Sequence, residues 1–240
     1  MPDRAALVTG ASSGIGLAIA HVLGQEGHAL TVAARRPERL EPAARELAGA
    51  GYEVHEVTAD LTDEEGVRKV AAAHRDRYGR LDVLVNSAGM GIGATIEEIQ
   101  ARRVDMQLGL NVRAIILFYR ECEAMLRAAG AEHHRALVVN LASLAGKSGQ
   151  PWLSVYSATK GAVVSWTQSM NKELNSAGVR STALCPGFVD TPMSEFVHDQ
   201  VAPEEMITTD DVAESVRFLL RTSRACVVPE ILFQRPGDAL

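Results

Sequence analysis

Apolar residues follow two alternating patterns along most of the chain. Short apolar runs predict strands at residues 5–8, 29–34, 83–85, 136–141 and 231–233. An alternating pattern predicts a strand at residues 53–58, and a further strand is predicted at residues 179–185. Apolar residues at helical spacing predict helices between them, at about residues 17–26, 37–48, 63–78, 104–128, 154–174 and 210–221. Because strands alternate with helices, the pattern predicts one doubly wound α/β domain over residues 1–240. Its seven-stranded sheet should be mainly parallel, with helices on both faces.

Composition, net charge and cysteine spacing exclude several classes of protein. The 240 residues are 47% hydrophobic and 22% charged, with a formal net charge of -6, which argues against a nucleic-acid partner. No apolar run is long enough to span a bilayer, and no cleavable leader precedes the first strand, so we expect a cytoplasmic protein without membrane contact. Three cysteines without paired spacing predict neither a disulfide framework nor a metal site.

A glycine-rich turn joins the first predicted strand to the first helix. Gly10, Gly14 and Gly16 stand in this turn. Glycines allow the backbone to approach a pyrophosphate closely, and the following helix N-terminus offers free N–H groups and a favourable dipole. The alternative is a simple strand-to-helix turn. The strand, turn and helix in succession favour a dinucleotide site.

Two arginines follow the second predicted strand. In dinucleotide folds an acidic residue near this position holds the ribose 2′-hydroxyl of NAD, whereas an arginine accommodates the 2′-phosphate of NADP. Here Ala34 leaves the position without a carboxylate, and Arg35 and Arg36 come next. The alternative is a solvated arginine pair at a helix start. Cations gain little at a helix N-terminus, which favours a ligand and predicts NADP(H).

A phenol and an ammonium group stand four residues apart at Tyr156 and Lys160. On a helix both would lie on one face, where the cation is expected to lower the pKa of the phenol toward neutral pH. Tyr156 would then be suited to general acid/base catalysis. Alone, the pair could equally be a solvated surface pair, and Asn111 in the long predicted helix could be a satisfied core polar group.

Five motifs in register resemble the short-chain dehydrogenase/reductase family, in its compact form, over nearly the whole chain. The TGxxxGxG motif stands at residues 9–16, and the NNAG motif has the form NSAG at residues 86–89. Residues matching the catalytic tetrad occur in the family's order, and the PG motif is followed by a threonine: Asn111, Ser143, Tyr156, Lys160, Pro186, Gly187 and Thr191. The resemblance implies a Rossmann-type fold and a nicotinamide-dependent oxidoreductase.

The resemblance also implies residue roles. Lys160 would hold the nicotinamide ribose, Ser143 the substrate oxygen, and Asn111 a water that relays protons to Lys160. Cofactor contacts are expected from Gly10, Ser12, Ser13, Gly14, Ile15, Gly16, Arg35, Arg36, Asp60, Leu61, Asn86, Ala88, Gly89, Tyr156, Lys160, Pro186, Gly187, Val189 and Thr191. The implied reaction moves a hydride between NADP(H) and a carbonyl or secondary alcohol, without a metal.

Some features depart from the family pattern or leave choices open. Ser13 stands where some NADP-using members have a basic residue, so the NADP prediction rests on the two arginines. A polar, mobile loop around residues 192–208, with Gln150 and Trp152, is expected to border a small-molecule substrate without identifying it. The family usually pairs through its two long helices, which implies a homodimer or homotetramer. Alternative functions are a cofactor-binding regulatory protein without turnover and a nucleotide-binding methyltransferase, which the glycine spacing and tetrad disfavour.

Overall fold

The computed structural model describes residues 2–133, 135–199 and 201–236. Within them, seven strands form one sheet: β1 (Ala5–Thr9), β2 (Ala29–Ala34), β3 (Val54–Thr58), β4 (Val83–Asn86), β5 (Ala136–Leu141), β6 (Val179–Pro186) and β7 (Glu230–Phe233). Every neighbouring pair is parallel, and the order is β3-β2-β1-β4-β5-β6-β7. The predicted doubly wound, parallel sheet is confirmed.

Helices cover both faces of this sheet. They are α1 (Gly14–Gln25), α2 (Pro37–Gly49), α3 (Glu64–Tyr78), α4 (Ala101–Leu108), α5 (Ala114–His133), α6 (Ser154–Leu174) and α7 (Thr209–Arg221). One core cluster combines buried residues of α3, α5 and α6, including Val70, Phe118 and Val163. A second cluster contains Ile19 and Val216, from α1 and α7. Because both faces are covered, β1, β2, β4, β5 and β6 are buried throughout, and the first four of them are mainly apolar. The buried β6 also contains Arg180, Ser181 and Thr182.

The direction of winding changes between β1 and β4. From β1 the chain proceeds to β2 and β3 on one side, and then returns to β4, β5, β6 and β7 on the other. The connections at the carboxyl ends of β1 and β4 therefore diverge and leave a crevice. Open α/β sheets bind their ligands at such a switch point.

One predicted helix is interrupted. The continuous helix predicted over residues 104–128 is wrong, because α4 ends at Leu108 and a π-helical turn, Gly109–Arg113, precedes α5. Asn111 lies in this turn. Its side chain accepts a hydrogen bond from the Met90 nitrogen and donates one to the Met90 carbonyl. The spacing of apolar residues does not reveal such a turn, because only the hydrogen-bond pattern changes locally, from i→i+4 to i→i+5. Turns of this kind are frequent at functional sites.

The segment after β6, which the sequence predicts to be a mobile polar loop, contains some local structure. It contains two short 3-10 turns, Glu195–Val197 and Pro203–Glu205, and Val197 is buried. Ile207 bridges Val189 in a parallel arrangement. Gln200 lies outside the described residues.

The start of α7 also corrects a prediction. Thr208, instead of Thr209 or Asp210, caps the helix through reciprocal bonds with Asp211. This pair forms a capping box, which satisfies two helix-end donors at once.

None of the helices in the described ranges combines the length and apolar character that crossing a membrane requires.

Candidate active site

The glycine turn after β1 is packed too closely for side chains. Gly10 has a φ of +68°, and a methyl group there would lie 2.8 Å from the Ala88 nitrogen. A methyl group at Gly16 would lie 2.4 Å from the Gly10 carbonyl oxygen. The turn therefore lies directly against the end of β4, and the predicted glycine positions have a steric reason. The contact is strengthened by Thr9, whose hydroxyl accepts from the nitrogens of Ser87 and Ala88 at 3.1 Å each.

The N-terminus of α1 is left open for an anion. Ser13 precedes the helix and makes no side-chain capping bond, and the first turn contains no acidic residue. Unpaired N–H groups and the positive end of the helix dipole therefore face the crevice. A dinucleotide pyrophosphate fits this donor set, and Ser12, Gly14 and Ile15 lie in the same turn.

Two arginines lie where the second strand ends. Ala34 is buried, whereas Arg35 and Arg36 are exposed. Burial acts to raise the pKa of Asp60, but hydrogen bonds from Thr62 and the positive charge of Arg35 outweigh it, so the pKa is lowered. Arg35 is therefore close to the end of β3, where Leu61 is buried. An exposed cationic side chain at this corner suits a phosphorylated ribose.

Asn86 is turned into the sheet. It is 2% exposed at the end of β4, and its Nδ2 donates to Asn140 Oδ1 at 2.9 Å. The Asn140 amide in turn donates to Tyr119 Oη at 2.8 Å and Thr167 Oγ1 at 2.9 Å. A side chain held this way supports the crevice floor, so contact with a cofactor falls to the backbone of Asn86 and its successors. Periodicity does not find this network, because Asn140 lies inside an apolar strand.

The tetrad residues converge from three elements at the carboxyl edge. Tyr156 and Lys160 are one turn apart on α6, and Ser143 follows β5. The Lys160 Nζ donates to the Leu141 carbonyl at 2.5 Å and lies 5.6 Å from the centre of the Tyr156 ring. Ser143 Oγ donates to the Pro186 carbonyl at 3.3 Å and accepts from the Ala145 nitrogen at 3.1 Å.

The pKa values correct one expectation. Burial raises the pKa of the Tyr156 phenol above its ordinary value of 10, and hydrogen bonding with Ser143 opposes this. Burial lowers the pKa of Lys160 from 10.5 to about 8. The prediction that Lys160 lowers the pKa of Tyr156 is therefore wrong for the protein alone. The ammonium lies beside the ring, bonded to the Leu141 carbonyl, and desolvation of the phenolate dominates.

Asn111 uses its side chain to hold neighbouring elements. Its Oδ1 accepts from the Met90 nitrogen at 2.9 Å, and its Nδ2 donates to the Met90 carbonyl at 2.8 Å and to Thr159 Oγ1 at 3.0 Å. Both amide protons are therefore used. Support for a water near Lys160 would have to come from the main chain of the π-helical turn. Thr159, which the sequence reading missed, links Asn111 to α6 by donating to the Tyr156 carbonyl.

A glycine-containing stretch after β4 faces α6. A methyl group at Gly89 would lie 3.6 Å from Lys160 Nζ, and one at Gly91 would lie 3.5 Å from the Tyr156 ring. Alternate residues of this stretch thus face successive turns of the helix. The absence of side chains at Gly89 and Gly91 lets this backbone pack directly against buried Lys160 and half-buried Tyr156.

The segment that follows β6 also borders the site. Gly187 donates its N–H to the Phe233 carbonyl at 3.0 Å, which fixes the chain after Pro186. Thr191 Oγ1 donates to the Val189 carbonyl at 3.3 Å. A methyl group at Gly14 would lie 3.1 Å from the Thr191 methyl carbon. The sixth strand therefore brings its predicted cofactor residues against the glycine turn. No group of three or more potential metal-ligating side chains occurs among the residues that the structure describes.

Comparison with known proteins gives a consistent result. The family model for short chain dehydrogenase matches residues 4–202. A Streptomyces violaceoruber protein named as ketoacyl reductase 1 of the granaticin polyketide synthase is 37% identical, over 95% of this chain and 90% of its own.

Solved structures with cofactors share the fold. A variant of actinorhodin polyketide ketoreductase with NADPH has a TM-score of 0.87 at 34% identity, covering 98% of this chain and 96% of its own. An alcohol dehydrogenase from the archaeon Thermococcus sibiricus, complexed with 5-hydroxy-NADP, has a TM-score of 0.86 at 30% identity, covering 98% of this chain and 99% of its own.

Proposed function

The chain belongs to the short-chain dehydrogenase family, and from this membership we propose that it is an NADP(H)-dependent oxidoreductase that reduces a small-molecule ketone to a secondary alcohol. The observation that carries the proposal is the convergence of Ser143, Tyr156 and Lys160 beside the glycine turn. These groups share the carboxyl edge of one sheet, so one crevice can hold both a dinucleotide and a carbonyl substrate.

The reaction needs charge stabilisation and a proton at the carbonyl oxygen. When bound, the cofactor supplies a hydride to the carbonyl carbon. The Tyr156 hydroxyl donates to the carbonyl oxygen and stabilises the negative charge that develops there. The Ser143 hydroxyl, which donates to the Pro186 carbonyl in the structure, would rotate to donate to the same oxygen. The Tyr156 proton then passes to that oxygen, which completes the alcohol, and Lys160 stabilises the resulting phenolate.

The raised pKa of Tyr156 is compatible with its role as the acid in reduction. A general acid must carry its proton at the start of the reaction, and burial keeps the phenol protonated at neutral pH. The relatives named as ketoacyl reductase and ketoreductase support the same direction and a ketone as the substrate class. Regeneration of the Tyr156 proton is assigned to Lys160 and the main chain of the π-helical turn around Asn111.

The cofactor site suits NADPH better than NADH. The open N-terminus of α1 and the close-packed turn around Gly10 would hold the pyrophosphate. Arg35 and Arg36 would hold the 2′-phosphate, since Ala34 offers no carboxylate to a free 2′-hydroxyl. Asp60, Leu61, Ala88 and Gly89 would border the adenosine, and Pro186, Gly187, Val189 and Thr191 the nicotinamide. The solved relatives with NADPH and 5-hydroxy-NADP support this preference.

The assembly and location of the protein belong to the same proposal. Residues 1–240 would form one dinucleotide-binding and catalytic domain, in which a short loop around residues 192–208 borders the substrate. Exposed Leu108 and Ile116, on α4 and α5, support pairing of two copies through the long helices into a homodimer or homotetramer. A cytoplasmic location agrees with the free cysteines Cys122, Cys185 and Cys226.

A panel of ketones and secondary alcohols, assayed with NADPH and with NADH, tests the proposal. Turnover that is faster with NADPH and lost in Tyr156→Phe is the expected result. Cofactor binding without turnover on any carbonyl would favour the alternative, a regulatory protein that senses NADP(H). The complete tetrad argues against that alternative, because a sensor needs no aligned proton donor.

A further inference from the structure

Trp152 lies in the turn that precedes α6, next to the row that Tyr156 and Lys160 form on that helix. It lies four residues before Tyr156, which lies four residues before Lys160. A methyl group at Gly93 would lie 2.3 Å from the Trp152 ring, so the indole packs flat on the Gly93 backbone. This continues the pattern in which alternate glycines after β4 face Lys160 and Tyr156. Gly89, Gly91 and Gly93 thus face Lys160, Tyr156 and Trp152 in turn, so the proton donor comes between the other two along this stretch.

The Trp152 backbone is held in an unfavourable conformation. Its φ is +64°, and among the described residues it is the non-glycine residue with a positive φ. A bulky side chain in this region is strained, at a cost of order 1–3 kcal/mol, and persists only where its surroundings enforce it. The Trp152 carbonyl accepts from the Ala94 nitrogen at 2.8 Å, and the Gly93 contact holds the ring. Yet Trp152 remains 49% exposed, so burial of the ring does not account for the strain.

A second aromatic ring meets Trp152 from across the crevice. Phe196, in the segment after β6, is 52% exposed, and its ring centre lies 5.8 Å from that of Trp152 at an angle of 51°. Two large, half-exposed rings side by side are an apolar patch of the kind that marks ligand grooves. The tilted pair leaves ring faces and edges open to a third aromatic group.

We propose that Trp152 and Phe196 form an aromatic subsite that holds a flat, uncharged ring of the substrate ketone. The inference rests on the proposed function and deepens it. Lys160, at one end of the row, would be beside the cofactor, and Tyr156 beside the carbonyl, so the rest of the substrate extends toward Trp152. The two rings provide stacking surface and no counter-charge. The rings themselves offer an anionic group no partner in exchange for the hydration that it loses, although Arg103 lines a small pocket together with Trp152.

A matched pair of ketones tests the subsite. The fused aromatic ketone 2-tetralone and its saturated counterpart trans-2-decalone have similar size, but only the first has a ring face. Trp152→Ala should lower kcat/KM for 2-tetralone at least about fivefold, the range expected from an aromatic pair, and change that for trans-2-decalone less than about twofold. Phe196→Ala should likewise lower the ratio of kcat/KM for 2-tetralone to kcat/KM for trans-2-decalone. Trp152→Phe should retain most of the preference.

Phe218→Ala is the control, because Phe218 is 55% exposed on α7 and should leave the ratio unchanged. Equal loss for both ketones in Trp152→Ala would assign Trp152 a structural role and overturn the subsite. So would a wild-type enzyme that prefers trans-2-decalone.

Fluorescence separates this inference from the proposed reaction. The chain contains two tryptophans, and Trp166 lies further along α6 against Tyr119. Titration of 2-tetralone into the wild-type protein with NADP+ should quench the emission, and Trp152→Phe should abolish the quenching. Quenching without turnover of any carbonyl would uphold the subsite and overturn the proposed reaction. Turnover of 2-tetralone without quenching from Trp152 would overturn the subsite and uphold the reaction.

Discussion

Lys160 Nζ lies 5.6 Å from the centre of the Tyr156 ring, one helical turn away, and donates to the Leu141 carbonyl at the end of β5. The ammonium group therefore lies beside the phenol ring while its hydrogen bond goes to the sheet. Burial raises the pKa of Tyr156 and lowers that of Lys160, so each group favours its neutral form. This relationship gives the pair two measurable consequences.

Removal of the Tyr156 hydroxyl should abolish most of the catalysis. Tyr156→Phe keeps the ring but loses the proton donor, so kcat should fall by roughly 10²-fold or more. NADPH binding, followed by cofactor fluorescence, should change little because Lys160 and the glycine turn remain. Near-normal turnover in the purified variant would refute the assignment of Tyr156 as the acid.

The stability of the protein should reveal the buried amine. Because the folded-state pKa of Lys160 is about 8, compared with 10.5, its buried charge destabilises the fold below pH 8. This penalty is relieved as pH rises from about 8 toward 10.5, where the folded state binds fewer protons than the unfolded state. Other thiols and phenols titrate in the same range, so wild type must be compared with Lys160→Met. We expect the stability advantage of the methionine variant over wild type to shrink across this range.

Urea unfolding at intervals between pH 7 and pH 10 measures the difference. Between pH 7 and pH 10, the difference in the free energy of unfolding between Lys160→Met and wild type should shrink by about 2–3 kcal/mol. A pKa difference of one unit corresponds to about 1.4 kcal/mol. A difference in the free energy of unfolding that does not vary with pH would contradict the lowered pKa.

Cofactor choice should depend on Arg35. A guanidinium group matches phosphate oxygens, and only NADPH carries the 2′-phosphate. Arg35→Ala should lower kcat/KM with NADPH on the order of ten- to a hundredfold and leave that with NADH nearly unchanged. Arg45→Ala, on the exposed surface of α2, is the control. A wild-type preference for NADH would overturn the assigned role of this corner without affecting the tetrad.

Substitution by alanine should disrupt the cofactor site at Gly16 but stabilise the protein at Gly49. A methyl group at Gly16 would lie 2.4 Å from the Gly10 carbonyl oxygen, so Gly16→Ala should displace the turn and weaken NADPH binding at least about tenfold. A methyl group at Gly49, the last residue of α2, would meet nothing within 4 Å. Gly49→Ala should therefore stabilise the protein by about 0.5–1 kcal/mol and leave binding intact. Equal NADPH affinity in the two variants would argue against a pyrophosphate at the turn.

A negative charge introduced at Ile116 on α5 should dissociate the proposed homodimer or homotetramer. Ile116 on α5 is 36% exposed, and in a dimer it would be buried against a second copy. Ile116→Glu would bury an unpaired carboxylate there, so sedimentation should shift from a dimer or tetramer toward a monomer. Ile96→Glu is the control because Ile96 is 77% exposed outside the long helices. Wild-type sedimentation as a monomer at micromolar concentration would refute the proposed assembly.

The order of strands and helices could be predicted from the sequence. Strands covered on both faces are mainly apolar, and helices covering them carry an apolar stripe, so both patterns are visible without coordinates. The glycine turn and the Tyr156 and Lys160 pair could also be found, because their function needs fixed residue types at fixed local spacing. These features depend on residues close together in the chain.

Only the tertiary structure decided features that depend on distant residues. The π-helical turn at Asn111 arises from bonds to Met90, and the glycines after β4 face Lys160, Tyr156 and Trp152 in turn. The direction of the Tyr156 pKa shift likewise depends on burial, which spacing along the chain does not reveal. Local sequence specifies which groups are available, but desolvation and packing by the whole fold determine their protonation and their partners.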